Sequence, residues 1–103
     1  MKTTEFNQVI GDQIERCSET LIRKEKEYAS ETDRLSAFKV AARLQGITEK
    51  QALAGMMAKH TTSVYDMISG NHIYTEEMWD EKIGDHINYL LLLRAIVAEG
   101  EFA

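Results

Sequence analysis

An all-α fold is what this sequence predicts, and three observations carry the prediction. No segment alternates apolar and polar residues with period two for long enough to make a strand. The 103 residues contain no proline, so glycine and capping chemistry must supply every break. Apolar residues recur at three- and four-residue steps through four segments, the spacing of one helix face.

The first segment runs from about 4 to 29. Phe6, Ile10, Ile14, Cys17, Leu21 and Tyr28 form its stripe, while Asp12, Glu15, Arg16, Glu19, Arg23 and Glu27 face the other way. The polar cluster Ser30-Glu31-Thr32-Asp33 ends it and caps the second helix, about 33–45, which presents Leu35, Phe38, Ala42 and Leu44 and stops at Gly46. Thr48-Glu49-Lys50-Gln51 is a capping-box pattern opening a third helix over about 48–69. Its stripe is Leu53, Met57, His60, Val64 and Met67, and Gly70-Asn71, tolerant of left-handed backbone, supplies the stop. Thr75 followed by Glu76 and Glu77 starts the fourth helix, about 75–99, with acids at the positive end of its dipole. Short connections make these four helices one compact domain spanning 1–103.

From Tyr89 to Ala98 the fourth helix is apolar in almost every direction except Arg94. A helix hydrophobic all round needs cover all round, and a second copy is the economical cover. A homo-oligomer with its seam at Leu90–Leu93 is the expectation.

Composition narrows the function. Twelve Lys and Arg against seventeen Asp and Glu give a net charge of −5. A duplex binder neutralises several phosphates with basic side chains, so this balance argues against duplex nucleic acid but not against a single nucleotide. The longest apolar run falls short of the ~20 residues that span a bilayer, so no membrane role is expected. The opening MKTTEFNQVIGDQ has no apolar run of the signal-peptide kind, and the lone Cys17 fits a reducing compartment as a small apolar filler. Together these predict a cytoplasmic protein.

Two constellations are candidates for chemistry. Glu81, Asp85 and Asn88 stand at i, i+4 and i+7 on one side of the fourth helix, a spacing that suits half of a Mg²⁺ site or an ordinary solvated face. Lys59, Ser63 and Asp66 repeat that spacing on the third helix. Antiparallel packing of the two would set the stripes across a cleft, adding Asp66 to the acids and bringing Lys59 to a phosphate; a surface set of salt bridges is the alternative. His60 and His86 lie on apolar stripes and are either interior hydrogen-bonded residues or ligand contacts. Lys24, Lys26, Tyr28, Arg34 and Lys39 surround the first inter-helix turn, where they would grip phosphates and stack a base, or simply balance glutamates. No nucleophile arrangement, phosphate-cradling glycine loop or zinc-type spacing is present.

The motifs K-x-K-E-Y at 24–28, D-R-L-x-x-F-K at 33–39, G-I-T-x-x-Q-A at 46–52, M-x-K-H-x-x-S-x-x-D-M at 57–67 and W-x-E-K-I-x-D-H-I-N-Y at 79–89 resemble those of small phage and prophage helical proteins associated with nucleotide modification. The last is also similar to the final acidic motif of MazG-type all-α nucleotide pyrophosphatases, E-E-x-G-D followed by apolar residues. That resemblance implies an oligomeric four-helix unit, Mg²⁺ as cofactor, and Glu81, Asp85 and Asp66 as metal ligands. Two departures accompany it. Lys82 stands where the family's second glutamate would be, and K-H-T-T-S at 59–63 replaces its E-E-x-x-E cluster. Cations in acid positions suit direct phosphate binding, with Lys82, His86 and Asn88 joining Lys59, His60 and Ser63 around the ligand. The expectation is a phage-type protein of a bacterial host's cytoplasm that sequesters a nucleotide or nucleotide-derived signal. A divergent Mg²⁺-dependent pyrophosphatase and a module docking on a protein through its last helix are the alternatives.

Overall fold

The computed structural model describes residues 1–28 and 33–100, with the side chains of 24–28 outside the description. Four helices follow in order: α1 (Thr3–Tyr28), α2 (Ser36–Gln45), α3 (Glu49–Ser69) and α4 (Glu76–Ala98). Among the described residues there is no strand.

Local chemistry sets most boundaries where the sequence placed them. Thr48 Oγ1 accepts from the Gln51 backbone N–H at 3.1 Å, and Gln51 Oε1 accepts from the Thr48 N–H at 3.0 Å, completing the capping box. Thr75 Oγ1 accepts from the Met78 N–H at 3.1 Å and opens α4. Gly46 closes α2 in the left-handed region at φ 65°, with the Ile47 N–H reaching back to the Ala42 carbonyl.

Two boundaries differ in their chemistry. The expected start of α2 at 33 moves to Ser36, because Asp33 Oδ1 accepts from the Leu35 N–H at 2.9 Å and holds a turn instead of a helical residue. The remainder of the expected capping cluster, 30–32, lies outside the described residues. At the end of α3, Gly70 is extended (φ −77°, ψ 168°) rather than left-handed. Glycine is needed there for close approach: a Cβ would stand 2.9 Å from the Asp66 carbonyl oxygen, which accepts from the Gly70 N–H.

Packing is uneven. α4 lies between α3 and α1, and α2 covers α3. Leu35, Phe38, Leu53 and Ile96 form the buried core, with Met56, Met57, Tyr89, Leu92, Leu93 and Ala95 against it. Much of the apolar surface expected to be a subunit seam is therefore covered within the chain; Leu90 and Leu91 stay about half exposed. Cys17 is buried, as a small filler should be, with its Sγ 3.8 Å from the Gly84 carbonyl oxygen. Residues 1–11, by contrast, are exposed throughout.

Candidate functional site

α3 and α4 run antiparallel, which the contacts of their facing side chains make plain. His60 stacks on Tyr89 with ring centroids 4.9 Å apart, and Thr61 Oγ1 hydrogen-bonds His86 Nε2 at 3.0 Å. α1 runs parallel to α4 on its other side, with Arg16 against Asp80 and Cys17 against Gly84. Two clefts open along these contacts.

The first, about 440 Å³, lies where α1, α2, α3 and α4 converge. Phe38, Met56 and Leu92 give it an apolar floor, and Arg34, Lys59, His60, Asp85, Asn88 and Tyr89 supply its polar edges. Its size lies within the roughly 300–1,000 Å³ of small-molecule sites, and so does its pattern of apolar lining with few polar groups. Arg34 donates one hydrogen bond to the Leu21 carbonyl at 3.2 Å, which fixes its guanidinium at the cleft. Neither Arg34 nor Lys59 forms an ion pair with a carboxylate among the described residues. His60 Nδ1 stands 3.8 Å from Asp85 Oδ2.

The second cleft, about 420 Å³, separates α1 from α4 and is lined by Arg16, Arg23, Glu19, Asp80, Glu81 and Asp85 among others. Arg16 is held by Asp80 at 2.7 Å, and that hydrogen bond raises the guanidinium's pKa further. Thr20, Asp85 and Asn88 form the wall common to both clefts. Asn88 is 8% exposed, and its Oδ1, fully enclosed, accepts no hydrogen bond from the described residues. Such an orphaned acceptor typically costs ~1–3 kcal/mol and calls for a donor.

Of the residues singled out from the sequence, the fold gathers Arg34, Lys59, His60, Asp85 and Asn88 at the first cleft. Glu81 lines only the second. Ser63, Asp66, Lys82 and His86 line neither, and Lys39 is engaged by Asp33 at 2.7 Å and Glu99 at 3.1 Å. The side chains of Lys24, Lys26 and Tyr28 lie outside the described residues.

The expected metal triad does not assemble: among the described residues no three of His, Cys, Asp and Glu come together as a metal site. The helical register explains why. His60 is level with Asp85 and Tyr89, so Asp66, almost two turns further along antiparallel α3, is carried past Asp85 towards the start of α4 and is exposed. Glu81 turns instead to α1.

Thr20, Met56, Tyr89 and Leu92 at the first cleft, and Arg16 and Asp80 at the second, were not among the predicted site residues. Tyr89 and Leu92 could have been found from their stripe beside Asp85. The Arg16–Asp80 pair joins residues 64 apart and leaves no local signal.

Fold and cleft define a small all-α protein with a ligand-sized cavity between its helices. No family model, curated protein or solved structure matches the chain.

Proposed function

We propose that this protein binds a nucleotide or nucleotide-derived signal in the cleft where α1, α2, α3 and α4 converge and holds it without hydrolysis. The observation that carries the reading is the pair Arg34 and Lys59, two cations without a described carboxylate partner, at the edge of an apolar cavity of about 440 Å³. Phosphate oxygens suit the two cations, with the guanidinium offering paired donors. The base lies against Phe38 and Tyr89, where flat apolar surface is available. Its amino or imino groups meet Asp85 at the polar edge of the cleft. Holding the ligand rather than cleaving it suits a cleft whose one lining carboxylate among the described residues is Asp85. The resemblance to phage proteins associated with nucleotide modification fits sequestration as the biological use.

A thermal-shift panel of NTPs, dNTPs, ADP-ribose and cyclic dinucleotides, with and without Mg²⁺, tests this. A bound member at 100 times its Kd adds about 2.7 kcal/mol of stability. Lys59→Glu should remove that shift, and no pyrophosphate should be released. Absence of a shift with every member would sink the reading, and Mg²⁺-dependent release would replace it with the enzyme.

A further inference from the structure

The first three turns of α1 present an apolar face that nothing among the described residues covers. Phe6, Val9, Ile10 and Ile14 are 54%, 52%, 43% and 61% exposed. This face is a continuation of the one α1 uses on α4. Gln13 and Cys17 lie against Gly84, and Phe6 and Ile10 stand seven residues before them, two helical turns back on the same side. The parallel register explains why the cover runs out. With Cys17 level with Gly84, α4 begins eight residues earlier at Glu76, level with Val9, so Phe6 projects beyond its end.

Two quantities say that the missing cover is large. The chain exposes 7631 Å², against about 5,900 Å² for a compact monomer of its 11.7 kDa mass. The surplus over the whole chain, roughly 1,700 Å², is larger than the ~800 Å² that each partner gives to a standard interface. The radius of gyration is 15.7 Å, where about 13 Å is usual at this length. A projecting helical segment of a few turns is also marginal in water without tertiary packing.

We infer that this face of α1 pairs with the same face of a second copy of the chain. The stripe Thr3, Phe6, Asn7, Ile10, Gln13 and Ile14 contains no charged residue, so it asks for no complementary charge on its partner. Its steps of three and four residues repeat over seven, the spacing with which one helix seats its side chains between those of another. A two-fold arrangement sets apolar on apolar from a single surface, which is the simplest closed assembly. The pairing puts the subunit interface on the first turns of α1, away from Thr20 and Leu21 where α1 lines the ligand cleft; neither proposal depends on the other.

Sedimentation of the ligand-free full chain at tens of micromolar tests the inference. The expected mass is about twice 11.7 kDa. The Phe6→Glu/Ile10→Glu variant should sediment at the mass of one chain with most of its far-UV helical signal retained and any loss confined to the projecting turns, since residues 1–11 are exposed throughout. Leu44→Glu, at an even more exposed apolar site on α2, should leave the mass unchanged. A wild-type protein at single-chain mass overturns the proposal. So does an assembly that survives Phe6→Glu/Ile10→Glu, or one that Leu44→Glu disrupts as well.

Discussion

The two sides of α4 are packed in opposite ways. Towards α3 and α2, Tyr89, Leu92 and Ile96 meet Leu53, Phe38 and Leu35, and both Leu53 and Ile96 are fully buried. Towards α1 the contact is made by a glycine, a cysteine, a glutamine and an Arg–Asp pair, with about 420 Å³ of cleft beside them. The first side buries large side chains and supplies the hydrophobic stabilisation. The second lets two backbones approach closely and buries little. A small domain can thus hold a rigid three-helix core and attach a long helix to it lightly, leaving that helix's apolar surface for other use.

Leu53→Ala should have the largest effect. It removes a fully buried side chain at the centre of the core, and such truncations cost ~2–5 kcal/mol. Urea unfolding should show the midpoint falling for the whole chain, α1 included. A cost below about 1 kcal/mol would mean that the core end is not the stabilising half.

Gly84 probes the other side. A Cβ there would meet Gln13 Nε2 at 3.3 Å and Cys17 Sγ at 3.7 Å. The nearer atom is the end of a flexible side chain, so Gly84→Ala should be close to neutral, with about 1 kcal/mol of helix propensity offsetting the crowding. Gly84→Leu cannot be accommodated in that way and should cost ~1–3 kcal/mol by forcing α1 away. Hydrogen exchange distinguishes this from a core lesion. Amides of α1 should lose protection while those of α3 around Leu53 keep theirs, and uniform loss would show the two sides to be coupled.

The same contrast explains what could be read from the sequence. The capping box at Thr48, the Thr75 cap and the Gly46 stop are local, so their spacing alone identifies them. The apolar stripes of α3 and α4 also lead to the core, because large side chains must go somewhere dry. What periodicity cannot supply is the register between helices. Phe6 sits on a sound stripe, yet a parallel offset leaves it beyond the start of α4. The same kind of offset separates Asp66 from Asp85, although each lies on the polar stripe expected of it. Arg34 and Lys59 were legible as basic residues, but only the fold reveals that they share a cleft.

The smallest effect belongs to the ion pairs that tie α2 to the end of α4. Lys39 Nζ lies 2.7 Å from Asp33 Oδ2 and 3.1 Å from Glu99 Oε2, and these hydrogen bonds push its pKa up to about 12 from an ordinary 10.5. Asp33 is held below its ordinary 3.8, first by Lys39 and then by the Leu35 N–H. The signs are opposite at the two ends of the pH scale. A lowered carboxylate pKa contributes stability that is present above 3.8 and is lost as pH falls through the folded value. A raised lysine pKa contributes stability that is complete below 10.5 and is lost as pH rises through about 12. Between these limits the stabilisation from the pairs is constant, and it is modest because all three side chains are partly in water. Melting temperatures of the wild type and Lys39→Met, followed across pH, should therefore differ by a small fixed amount at neutral pH. The curves should converge in strong acid and again above pH 12, and molar salt should narrow the gap. Curves that stay parallel into acid would show that Asp33 does not depend on Lys39, and that the α2–α4 junction is held by the apolar core alone.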